Sequence, residues 1–116
     1  MVELYPCPSC GFCVFDEPSG SYDICPICGW ADDQVQLRFP VMRGGANRGS
    51  LADFQRSILK EIPPEVRTYQ KYRRAPGWRP LMPSESQPHI DQPQTRLEYF
   101  LAATDDPPEY YWRRKK

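Results

Sequence analysis

The chain has one histidine among its 116 residues, no apolar run approaching the length of a membrane span, and no lysine or arginine before Arg38. Each shortage excludes something. With a single histidine and no nucleophile–base motif, an enzyme is not expected. A bilayer span needs about 20 consecutive apolar residues, and none are present. The N-terminus lacks the basic-then-apolar pattern of a secretory signal, so the expectation is a cytoplasmic protein with reduced thiols. Net charge is missing too: 15 basic residues balance 15 acidic ones. That balance is not the strongly basic footprint of a nucleic-acid-binding domain. Five cysteines are an odd count, which disfavours a closed set of disulfides. No βαβ pattern accompanies them, which disfavours a thioredoxin-like redox pair.

What is present is a motif written twice. Cys7-Pro8-Ser9-Cys10-Gly11 is repeated as Cys25-Pro26-Ile27-Cys28-Gly29. Four thiolates in two CxxC pairs match tetrahedral zinc, each pair gripping one side of the ion. Proline after the first cysteine pre-sets the turn, and glycine after the second permits a left-handed backbone. The expectation is one structural Zn2+ per chain, held by Cys7, Cys10, Cys25 and Cys28. Cys13 lies outside both pairs and reads as a small buried hydrophobe.

Between the pairs, Phe12, Val14 and Phe15, then Tyr22 and Ile24, flank the turn-rich "DEPSGS" and read as a β-hairpin. The fold class expected is small α+β: an N-terminal four-cysteine zinc ribbon (a β-hairpin with two zinc knuckles), two amphipathic helices, and a proline-rich C-terminal segment. Trp30 is placed against the metal site. Residues 1–37 would be the ribbon, and 38–75 a loop and helical segment packed on it. Residues 76–112 would be a proline-rich extended stretch with a short helix or strand, and 113–116 a disordered basic tail, all in one compact domain. Ser50 and Asp53 form a capping-box pattern before Leu51, Phe54, Ile58 and Ile62, so a helix is predicted over 51–62. A second helix is predicted after Pro64, with Val66, Tyr69 and Tyr72 on one face. Thr95 and Glu98 form another box and favour a helix in "TRLEYFLAA". "EYYW" is expected to pack back on the domain, and His89 to be a solvated loop residue.

Charge is sorted along the chain. Residues 1–37 carry six acids and no lysine or arginine, whereas residues 38–79 carry ten basic residues and three acids. The plainer reading is that these faces neutralise one another. The sharper one is an acidic patch for a basic partner protein, with Asp16, Glu17, Asp32 and Asp33 as contact acids and Tyr22 or Trp30 as anchor. A competing reading is nucleic-acid binding by the basic segment and Tyr69, Tyr72 and Trp78, with Arg43, Gly44, Gly45 and Arg48 as a phosphate cradle before a helix. Electron transfer with iron in a rubredoxin-like site is a third reading, and the short stretch between the knuckles argues against it.

The blocks "YPCP", "GSYDICPICGW", "ADDQVQLR" and "RGGANRGSL" occur in this order over about residues 4–60 and closely resemble the bacterial cysteine-rich CPCC family. Ser9 stands where the family pattern has a further cysteine, and the four CxxC cysteines are retained. The resemblance implies a small metal-binding protein. Some bacterial proteins of this type look like immunity proteins encoded beside secreted toxins, which implies a basic toxin domain as partner.

Overall fold

The computed structural model describes residues 4–88, 92–102 and 109–113. Two short antiparallel hairpins and three helices make up the regular structure. In the first hairpin, β1 (Tyr5–Pro6) pairs with β2 (Cys13–Phe15), Tyr5 opposite Phe15 and Pro6 opposite Cys13. The first CxxC turn is therefore the tip of that hairpin. An isolated bridge between Ile24 and Ala31 does the same for the second turn.

This differs from the predicted hairpin, in which Phe12–Phe15 would pair with Tyr22–Ile24. Each knuckle closes on itself instead: the Cys7 amide donates to the Phe12 carbonyl (2.9 Å) and the Cys25 amide to the Trp30 carbonyl (2.8 Å). The connecting stretch cannot continue as a strand, because Tyr22 adopts φ of 63°. It is held from below by Asp32, whose Oδ2 accepts from the amides of Gly20 and Ser21 and from the Ser21 hydroxyl.

Helix α1 (Gln34–Arg38) was not predicted; Asp33 caps it, accepting from the amides of Val35 and Gln36. Helix α2 (Leu51–Glu61) forms where its apolar spacing placed it, opened by the reciprocal Ser50–Asp53 box. The predicted second helix is absent. In its place β3 (Thr68–Tyr69) pairs with β4 (Tyr72–Arg73). Gln70 turns the chain with φ of 54°, and Tyr69 remains 39% exposed rather than joining a buried stripe. The stretch Val66–Tyr72 is rich in β-branched and aromatic residues, which suit an extended chain. Arg74 then draws it across the first knuckle. Helix α3 (Arg96–Ala102) starts at the Thr95–Glu98 box, the Thr95 hydroxyl accepting from the Glu98 amide.

The main core gathers Phe12, Phe15, Trp30, Leu37, Leu51, Ile58, Ile62, Tyr110 and Tyr111 around the cysteines. Val35, Phe39 and Met42 form a smaller cluster covered by Tyr99. The C-terminal aromatics do pack back: the Tyr111 hydroxyl donates to the Arg79 carbonyl and accepts from Gln55 Nε2. The proline-rich stretch is tied down as well. The Leu81 amide donates to Gln55 Oε1, and Arg79 pairs with Glu85 at 2.7 Å. His89 and residues 114–116 of the basic tail lie outside the described residues, while Arg113 ends a short 3-10 turn, Tyr111–Arg113. Among the described residues no helix is long and apolar enough to cross a membrane.

Candidate metal centre

The two CxxC turns have the same backbone. In each, the glycine amide donates to the carbonyl of the first cysteine (Gly11 to Cys7, 2.7 Å; Gly29 to Cys25, 3.0 Å). Gly11 and Gly29 both have φ of 82°, a left-handed conformation that favours glycine. The turns face each other and bring Cys7, Cys10, Cys25 and Cys28 together, with all four sulfurs within 4.8 Å of one another. Cys7 and Cys28 approach to 3.6 Å, and Cys10 and Cys25 to 3.7 Å.

These separations discriminate between chemistries. A disulfide needs about 2.05 Å, and these four cysteines are free thiols. Sulfurs tetrahedrally arranged at about 2.3 Å from a zinc ion lie about 3.8 Å apart. The four sulfurs thus have the spacing and chemistry to hold one metal ion. The amides of Ile27 and Cys28 donate to Cys25 Sγ (3.4 and 3.5 Å), which favours a thiolate there.

The charge states point the same way. Burial pushes the Cys7 thiol well above its ordinary value. The hydrogen bond shared by Cys10 and Cys25 pushes Cys10 up and pulls Cys25 down. Burial and the shared hydrogen bonds thus work against ionising Cys7 and Cys10 beside a Cys25 thiolate when no cation lies among them. A divalent ion reverses that penalty, since a coordinating thiol is deprotonated outright. Cys13 is partly buried and lies outside the cluster.

The surroundings of the cluster come from distant parts of the chain. Trp30 is fully buried in the same cluster and meets Phe54 of α2 edge to face, with centroids 5.3 Å apart. Arg74 belongs to the basic segment that the nucleic-acid reading assigns to phosphate, yet it is 2% exposed. Its Nε donates to the Cys10 carbonyl (2.7 Å), and its other nitrogens donate to the carbonyls of Ile62, Pro63 and Val66. Its guanidinium also lies over the rings of Phe12 (4.4 Å) and Trp78 (5.0 Å). One side chain therefore closes the C-terminal end of α2 and braces the first knuckle. Nothing in the sequence singles out Arg74 from Arg73.

The contact acids divide into two kinds. Asp16 and Glu17 are exposed in the loop after β2. Asp32 and Asp33 are not surface acids: they are 1% and 0% exposed. Asp32 staples the connecting loop, and Asp33 caps α1 while accepting from the Ala46 amide and the Tyr99 hydroxyl. Their position before "QVQLR" carried an N-cap signal that a count of charges overlooks.

The phosphate cradle is also occupied from within. Arg43 pairs with Asp53 at 2.8 Å, and Asp53 is itself part of the box that caps α2. A phosphate at that helix start would meet a carboxylate already there. A Cβ on Gly45 would lie 2.7 Å from Asp33 Oδ2, so this glycine allows close packing on α1. Gly44 and Arg48 close the loop through the Gly44 amide and the Arg48 carbonyl (3.2 Å). Arg74 and Trp78 of the basic segment are buried.

Two CxxC turns around a four-sulfur cluster, in a small α+β fold, define a protein built about a candidate metal centre. The family model described as cysteine-rich CPCC matches residues 5–74, and the chain belongs to that family. A search of curated proteins finds no match. The family match spans both knuckles and ends at Arg74.

Proposed function

We propose that this chain is a protein-interaction module whose fold is organised by one structural zinc ion held by Cys7, Cys10, Cys25 and Cys28. The spacing of the four buried or half-buried sulfurs carries this reading. Four protein thiolates fill a tetrahedral ion and leave no open position for substrate, so the metal serves folding rather than catalysis. Zinc fits the all-sulfur donor set; iron in the same cage is the competing occupant. Elemental analysis of protein purified from metal-replete cells should find one zinc per chain. Serine at any of the four cysteines should reduce that content, while Cys13→Ser should not. A red, iron-loaded protein, or a folded chain with no metal, overturns the assignment.

A partner protein with a basic surface fits the exposed Asp16 and Glu17 and the absence of lysine and arginine from residues 1–37. Neutralisation of a basic toxin domain, an immunity role in the cytoplasm, is the narrower form of this reading. The burial of Asp32 and Asp33 leaves that form with fewer acids. Nucleic-acid binding is disfavoured by the internal pairing of Arg43 and the burial of Arg74. No complex with DNA or RNA is expected at physiological salt, and a salt-sensitive micromolar complex would reverse that judgement.

A further inference from the structure

The two knuckles have one backbone but different covers. The segment Arg74–Trp78 lies on the first and satisfies its outward carbonyls. Arg74 Nε donates to Cys10, the Ala75 amide to Gly11 (2.8 Å), and Trp78 Nε1 to Pro8 (3.1 Å). The Trp78 ring lies on Gly11 so closely that a Cβ there would be 2.4 Å from it. On the second knuckle, no donor among the described residues reaches the carbonyls of Pro26, Cys28 or Gly29. A Cβ on Gly29 would meet nothing within 4 Å.

Beside this bare knuckle lies a groove of about 310 Å³ between it and α2, walled by Ile27, Cys28, Phe54 and Ile58. Two acids line the groove; Asp53 is already paired with Arg43 and Arg56, which leaves Glu61 to face an incoming cation. Ile24, next to the knuckle, is 69% exposed.

We infer that the second knuckle and its groove dock a segment of a partner protein that presents an arginine and a tryptophan four residues apart, as Arg74 and Trp78 are presented to the first. The first knuckle supplies the template for the occupant. An arginine would serve the Cys28 carbonyl and face Glu61, and an indole would lie on Gly29. The metal–thiolate centre beneath, with net negative charge when loaded, favours the same cation. The inference rests on the reading of the chain as a protein-interaction module and names its contact face.

The test uses the full, metal-loaded chain and a synthetic peptide copying residues 72–79, YRRAPGWR. Amide resonances of Ile27, Cys28 and Gly29 should shift saturably, with a dissociation constant on the order of 1 mM or tighter, as expected for a small contact. A peptide carrying Arg74→Ala and Trp78→Ala should bind at least tenfold more weakly, and Glu61→Lys in the protein should weaken the parent peptide several-fold at unchanged metal content. A metal-loaded chain whose second knuckle ignores the peptide overturns this inference and leaves the zinc reading standing. A chain purified without metal overturns both. Equal shifts by the two peptides, shifts from dilution of the chain alone, or the same shifts with a single-stranded oligonucleotide would each overturn the assigned occupant, the last two in favour of a second copy or of nucleic acid.

Discussion

The first knuckle is buried and the second half-open, although both close with the same two backbone hydrogen bonds and the same left-handed glycine. Cys7, Pro8, Ser9 and Cys10 are all buried, whereas Pro26 and Gly29 are exposed and Ile27 and Cys28 partly so. The local turn is set by proline, glycine and the metal-ligand spacing, and it comes out the same twice. What differs is imported: an arginine and a tryptophan from a segment more than 60 residues downstream. Identical motifs can thus have unequal weight in one fold, the first as part of the core and the second as part of the surface.

The largest effect expected is loss of a ligand. Serine at Cys7 or Cys10 removes both the metal and the centre of the core, and binding free energy on the order of 10 kcal/mol is at stake. Cys28→Ser should also lower metal content but should leave more of the near-ultraviolet aromatic signal, because its knuckle is less buried. Equal losses for Cys10 and Cys28 would erase the distinction between the knuckles. Next comes Arg74→Met, which strands four carbonyls, two of them buried (Cys10 and Ile62), and should cost on the order of 2–5 kcal/mol in urea unfolding at fixed zinc. Arg73→Met, at an exposed site, should change stability by less than about 0.5 kcal/mol.

Much of the centre was legible because its determinants are local. The CxxC pairs, their prolines and glycines, and the Ser50–Asp53 and Thr95–Glu98 boxes each span only a few consecutive residues. The β3–β4 hairpin was not legible: Val66, Tyr69 and Tyr72 have helical spacing, but the carbonyls of Ile62, Pro63 and Val66 are claimed by Arg74. That claim makes sense only once the first knuckle is in place. Asp32 and Asp33 are buried because the amides of the connecting loop, of α1 and of Ala46 lie within their reach, which a count of charge along the chain does not register.

The loop that joins the knuckles offers the third test. Burial raises the Asp32 carboxyl to about 6, against the hydrogen bonds from Ser21 and Gly20 that work to lower it. Because the folded value exceeds the unfolded one, the contribution of this group is fully present below about pH 4 and lost as pH rises through about 6. The full span corresponds to on the order of 3 kcal/mol. Asp32→Asn should flatten the stability profile of zinc-loaded protein between about pH 5 and 7 and be the more stable form above about pH 7. A wild-type profile that is flat there, or one that rises with pH, contradicts the assignment. The smallest and sharpest comparison is between the glycines. Alanine at Gly29 should cost about 1–2 kcal/mol for its left-handed backbone alone. Alanine at Gly11 carries the same strain and also collides with Trp78, adding about 1–3 kcal/mol. Replacing Trp78 by a smaller residue in the Gly11→Ala background should recover part of that difference.

The position of Arg74 and Trp78 has a consequence for how the centre is made in the cell. A growing chain exposes all four cysteines once Cys28 has emerged, but the cover of the first knuckle has still 46–50 residues to go before it emerges. At about 5–20 residues per second, the thiols wait roughly 2–10 s with both knuckles bare. Whatever metal is kinetically at hand in that interval meets an open site, and the arrival of Arg74 and Trp78 then closes one side over it. If the four cysteines hold a metal as proposed, its identity would then depend on the order of events on the ribosome as well as on affinity.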